Sequence, residues 1–85
     1  MNYYLYILLC ENNHLYIGIS EDVQKRFITH QIGQGAELTK KNKPIKIVYT
    51  EQFNSLQEAR KREIQVKKWS RSKKKRLING TIGKK

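Results

Sequence analysis

Eighty-five residues allow one domain with one small core, and they exclude two separately packed cores. Hydrophobic residues make up 38% and charged residues 29%, so a modest interior must sit beneath a heavily solvated surface. Eighteen Lys and Arg against seven Asp and Glu give a formal net charge of +11, which disfavours self-compaction unless a polyanion is a normal partner.

The charge is also uneven. Twelve of the 18 basic residues lie between Arg60 and Lys85, a stretch whose only acid is Glu63. That asymmetry marks a phosphate-facing half and makes nucleic acid the first partner to consider, ahead of a merely solvated basic helix or a membrane surface. Cys10 is the single cysteine, so neither an internal disulfide nor a cysteine-based zinc site can form. No basic leader precedes Tyr3-Tyr4, and the apolar run from Leu5 to Cys10 is too short for a signal core or a membrane span. The expected location is cytoplasmic.

Tyr3 to Leu9 and Leu15 to Ile19 are rich in aromatic and branched side chains, with a Glu11-Asn12-Asn13 turn between them, and read as a β-hairpin. A turn centred on Asn12 sets Tyr6 opposite Gly18 and Leu8 opposite Tyr16, so the two tyrosines share a face. The other face carries Leu5, Ile7, Leu9, Leu15, Ile17 and Ile19 and needs a covering helix. Ser20, followed by Glu21 and Asp22, predicts a helix N-terminus, with the helix running to Gln31 and stopped by Gly33 and Gly35. Arg26 and His30 share one side of it, beside an apolar stripe of Val23 and Phe27.

Ala36 to Lys43 reads as a lysine-rich loop, and Pro44 opens a third strand through Ile45, Ile47 and Tyr49. Ser55 and Glu58 form a capping box for a helix reaching Lys68 or Trp69. Ser70 or Ser72 caps a last short helix ending near Leu77-Ile78, with Asn79-Gly80 as its stop. On the Ser55 helix, Glu63 falls inside the apolar arc of Leu56, Ala59 and Val66. A carboxylate there must meet a cation, a metal or water at a cleft, and an ordinary ion pair with Arg60 or Lys67 is the plainest reading.

Tyr4-Leu5-Tyr6, followed after nine intervening residues by Tyr16-Ile17-Gly18, resembles the paired signature that names the GIY-YIG nucleases. Arg26 with His30 resembles the family's helix-borne arginine and histidine, and Glu63 resembles its metal-binding glutamate. The resemblance extends along the chain, through Gly35-Ala36 to Lys67-Lys68-Trp69-Ser70-Arg71, and is closest to the small stand-alone bacterial GIY-YIG proteins. It departs at Tyr4, where the family has glycine, and at Ile19, where several relatives have lysine.

The resemblance implies an α+β fold, ββαβα(α), with a three-stranded antiparallel sheet flanked by helices. Residues 1–80 would form the single domain and 81–85 a basic flexible tail. It implies a metal-dependent endonuclease hydrolysing DNA phosphodiester bonds, structure- or damage-directed, in repair or recombination. Tyr6, Tyr16, Arg26, His30 and Glu63 would be catalytic. Glu63 would hold one Mg²⁺ or Mn²⁺ ion, bound together with substrate. Gly18, Lys25, Lys40, Lys41, Lys67, Lys68 and Arg71 would bind substrate, Gly18 by leaving room opposite Tyr6, and Asn79 lies where some relatives place an asparagine near the site. The expected partner is nucleic acid, DNA over RNA, with a protein partner open and no membrane. A non-catalytic nucleic-acid-binding module and a partner-dependent nuclease subunit are the rival readings.

Overall fold

The structure, a computed structural model, describes residues 2–33 and 41–80. The expected tail 81–85, Lys40, Gly35 and most of the lysine-rich loop lie outside the described residues. In chain order the elements are β1 (Tyr3–Cys10), β2 (Leu15–Ser20), α1 (Val23–Gln31), β3 (Pro44–Phe53), α2 (Leu56–Lys67) and α3 (Arg71–Ile78). The three strands form one antiparallel sheet in the order β2-β1-β3.

β1 is central because its side chains are apolar on both faces, as a strand covered on both sides requires. Leu5 and Ile7 pack with Ile17, Val66 and Leu77 beneath α2 and α3. Tyr6, Leu8 and Cys10 face the other way, against Val23 and Phe27 of α1. The hairpin register is the expected one, with Tyr6 opposite Gly18 and Leu8 opposite Tyr16. Its turn is tight, because Asn12 and Asn13 both adopt left-handed backbone with φ of 61° and 65°, a conformation asparagine tolerates better than most residues.

Three local expectations are corrected. The α1 N-cap is Asp22 and not Ser20: the Ser20 hydroxyl is engaged by the Asp22 amide, and the Asp22 carboxylate accepts from the Lys25 amide at 3.1 Å. Glu21 therefore precedes the helix instead of charging its first turn. The third strand continues to Phe53, and its alternation is broken between Ile47 and Tyr49, where β1 steps from Leu8 to Ile7 and Val48 is the extra residue. Ile47 consequently packs under α1 while Val48 and Tyr49 pack toward α2. The helix after Ser55 stops at Lys67, with Lys68 as its cap residue.

The remaining punctuation follows the sequence. Ser55 accepts from the Glu58 amide and Ser70 from the Lys73 amide, each satisfying a first-turn N–H that would otherwise lack a partner. Gly33 and Gly80 sit at φ of 81° and 79° just past α1 and α3, where only glycine turns the chain without strain. Arg62 fixes α2 to β3 by donating from Nε to Glu51 at 2.9 Å, and its guanidinium lies 5.1 Å from the Trp69 ring centroid. Lys73 Nζ is 4.3 Å from the same ring, so one indole between α2 and α3 meets a cation from each helix.

The small core makes single truncations costly. Leu77→Ala removes a side chain that is 1% exposed from the α3 contact with β1. Urea unfolding should show a loss of about 2–4 kcal/mol, whereas Ser70→Ala should lose only about 1 kcal/mol.

Candidate active site

Tyr6 stands at the centre of the α1-covered face, 1% exposed. Its ring fits there because position 18 has no side chain. A Cβ on Gly18 would lie 2.5 Å from the Tyr6 hydroxyl and 2.7 Å from Cζ. The space expected to admit substrate over Gly18 is thus filled by Tyr6 itself, and Gly18 serves the site by letting the phenol lie across β2.

His30, in the last turn of α1, is fully buried, and its Nε2 is 3.2 Å from the Tyr6 hydroxyl oxygen. Burial, reinforced by the Arg26 charge, lowers the imidazole's pKa below its ordinary value, so the ring at neutral pH is an acceptor. Burial, and then Tyr16, push the Tyr6 phenol up to about 12, while a hydrogen bond from Arg26 and its charge pull the other way and Glu63 adds to the rise. The phenol and the neutral imidazole are within hydrogen-bonding distance, the His30 tautomer setting which of the two donates. Tyr16, partly exposed, closes the group, its ring centroid 4.9 Å from that of His30 and 6.3 Å from that of Tyr6.

Glu63 approaches from the opposite layer. It lies on the inward side of α2 between the buried Ala59 and Val66, and its field reaches Tyr6. Its carboxylate pairs with Lys67 Nζ at 3.2 Å, the Lys67 side chain being 53% exposed and that of Glu63 14%. The ion pair expected at helical spacing is therefore present, yet the lysine end is free to swing into solvent at little cost. Among the described residues no three His, Cys, Asp or Glu side chains cluster to hold an ion. One inward carboxylate whose oxygen already attracts a cation fits a hard divalent ion that keeps its waters and takes phosphate oxygens.

The expected substrate-binding residues fall in different places. Lys25 lines a groove with Arg26, Ser20 and Thr29, next to the tyrosine centre. Lys41 and Lys68 are exposed at the ends of their segments. Arg71 donates a hydrogen bond to the Asn13 carbonyl oxygen and so ties α3 to the hairpin turn. Asn79 lines a separate groove with Leu9, Lys46 and Arg71, which none of the five expected catalytic residues lines. Tyr4, in the place of the family glycine, is partly buried and shares the strand face of Tyr6, lining a hollow with Glu21, Gln24 and Thr50, whereas Ile19 packs on the opposite core with Leu5. Sequence reading missed Ser20 and Thr29, which line the groove beside Arg26 with their hydroxyls donated to the Asp22 and Lys25 carbonyls; Thr29 is three residues from Arg26 on α1, and that spacing was the available signal.

Four side chains from β2, α1 and α2 thus act on the one phenol of β1. The family model of the GIY-YIG catalytic domain matches residues 2–76. The chain belongs to the GIY-YIG family. A UPF0213 protein of Staphylococcus saprophyticus is 46% identical over 77 residues, covering 91% of this chain and 94% of that one. A UPF0213 protein of Bacillus pumilus is 41% identical over 73 residues, covering 86% and 74%. The solution NMR structure of the UPF0213 protein BH0048 from Bacillus halodurans superposes with a TM-score of 0.62 at 39% identity, covering 99% of this chain and 89% of that one. The GIY-YIG fold is therefore the three-stranded sheet described above, and its family is one of nucleases acting on nucleic acid.

Among the described residues of this GIY-YIG domain four groups are shifted; Tyr6 and His30 belong to this site, while Cys10 and Tyr49, both raised by burial, add to the alkaline slope. Tyr6 is neutral in the fold well above pH 10, whereas the unfolded chain ionises it near 10, so its contribution to stability is intact below pH 10 and is lost as pH rises toward about 12. His30 resists protonation in the fold, so stability declines as pH falls through the ordinary imidazole range near 6.5. Thermal unfolding across pH should show both slopes, and Tyr6→Phe should flatten the alkaline one.

Proposed function

We propose that the chain is a divalent-metal-dependent endonuclease that hydrolyses phosphodiester bonds in DNA. The observation that carries this reading is the contact of the Tyr6 hydroxyl with the buried, neutral His30 inside a ring cluster with Tyr16, where the charges of Arg26 and Glu63 both act on the phenol. Mg²⁺ or Mn²⁺ held by Glu63 would neutralise charge on the phosphate and on the leaving oxygen. Arg26 binds the scissile phosphate and counters the charge it gains in the transition state.

Water approaches from the open side of Tyr16 and hydrogen-bonds to the Tyr6 oxygen. As it attacks phosphorus, its proton passes to Tyr6 while the Tyr6 proton passes to His30 Nε2, and the phosphorus–oxygen ester bond breaks, its electron pair leaving on the ester oxygen, which takes a proton from solvent water. A phenol with a pKa of about 12 is a poor resident phenolate, so relaying the proton to a neutral histidine suits it better than standing ionised. Lys25 adds a second cation beside Arg26 for a neighbouring phosphate, in a groove that Glu21 and Asp22 also line. Two helices rich in lysine and arginine supply backbone affinity without base readout, which suits structure- or damage-directed cutting in repair or recombination within the cytoplasm.

Labelled single-stranded, duplex, flapped and branched DNA, plus RNA, should be incubated with wild type, Glu63→Gln and Arg26→Ala in Mg²⁺ or Mn²⁺. Wild type should cut DNA only with metal, and both variants should lose roughly 10²–10³-fold in rate, with Glu63→Gln still binding. Cleavage unchanged in Glu63→Gln would remove that residue from the chemistry. Tight, salt-sensitive binding with no cutting would replace the enzyme by a binding module or a partner-dependent subunit.

A further inference from the structure

On the face opposite the tyrosines, α3 and the turn end of the sheet enclose a groove of about 250 Å³. Its rim carries Lys46 from β3 and Arg71 and Lys75 from α3, and among the described residues no carboxylate lines it. The groove beside Arg26, by contrast, includes Glu21 and Asp22, and the hollow between β3 and α2 includes Glu58. Leu9, Leu15 and Ile78 give the basic groove an apolar lining. The bond from Arg71 to the Asn13 carbonyl holds the start of α3 against the hairpin turn and so fixes the groove's width.

Cations alone would suit any phosphate; the apolar lining narrows the choice. A duplex turns its phosphates outward and hides its base faces in the stack, so it cannot use Leu9, Leu15 and Ile78. An unstacked base has an apolar face to lay on them. The groove is smaller than the roughly 300–1,000 Å³ of pockets for whole small molecules, which limits it to one such unit. We infer that this groove takes one nucleotide of a single-stranded segment, its base against Leu9, Leu15 and Ile78 and its flanking phosphates at Lys46 and Lys75.

Leu15 and Tyr16 are neighbours on the edge strand β2 with side chains on opposite faces, so a strand passing Tyr16 reaches the groove by rounding that edge. The inference rests on the nucleic-acid reading above and specifies which part of a flapped or branched substrate contacts the second face.

The test is an amide NMR titration of the full chain with octathymidylate, a blunt hairpin duplex and thymidine monophosphate. It is repeated on Lys46→Gln/Lys75→Gln, which replaces two exposed side chains outside the tyrosine centre. Octathymidylate should shift the amides of Leu15, Ile78 and Asn79 in wild type. The double variant should lower the slope of log affinity against log salt by about 1.4, two cations at ~0.7 each, with amide dispersion unchanged. Shifts confined to Tyr16, Arg26 and their neighbours would overturn the groove and leave the nuclease reading standing. Equal shifts of the groove amides by the duplex, or saturation by thymidine monophosphate as tight as by octathymidylate, would overturn the single-strand assignment. No shift with any nucleic acid would overturn both readings.

Discussion

One steric fact organises the tyrosine face: the phenol of Tyr6 lies where a side chain on residue 18 would otherwise stand. With Gly18 opposite it, Tyr6 can lie flat across β2, out of solvent, and meet His30 from α1. Any larger residue at 18 would push the ring toward α1 and break the 3.2 Å contact to the imidazole, since packed interiors yield little before they strain. The same burial that fixes the ring raises its pKa and lowers that of His30, so the pair rests neutral. Position and protonation state have one cause.

The sheet divides labour between its faces. Because β1 is buried on both sides, Tyr6 is held between neighbours, Leu5 and Ile7, that are anchored in the opposite core. That core is closed by α2 and α3, whose angle is braced by Arg62 and Lys73 against Trp69 and by Ser70 capping. Glu63 is carried on this brace: Ala59 and Val66 are pressed into the sheet, and the carboxylate between them is delivered to the edge where its charge reaches Tyr6. The concentration of positive charge on α2 and α3 opposes compaction, and a bound polyanion relieves it. Lys67 on Glu63 is a local instance, a cation holding the carboxylate's charge in the absence of substrate.

Much of this was legible before any coordinates. Period-two alternation fixed which hairpin residues share a face, and the register followed once the turn centred on Asn12, because a one-residue slip would have put Leu5 and Ile7 on the wrong side. Glu63 announced itself as a carboxylate in an apolar arc. What was not legible depends on contacts distant in sequence. The bulge at Val48 follows from pairing with β1, which no local pattern encodes. Whether the space over Gly18 is empty or filled depends on the rotamer of Tyr6, and capping by Asp22 instead of Ser20 depends on a hydroxyl choosing between two nearby amides. Lys46 and Arg71 become neighbours only when α3 folds back over the hairpin turn, so the basic groove has no linear signature.

The claim on which the account stands is that Tyr6 and Glu63, from opposite layers of the sheet, work as one centre. A double-mutant cycle of Tyr6→Phe and Glu63→Gln on the metal-dependent cleavage rate measures this directly. The account predicts strong non-additivity, each single change costing nearly as much as the pair. Losses that simply multiply would mean two residues acting independently, and a Tyr6→Phe rate equal to wild type would remove the buried phenol from the chemistry.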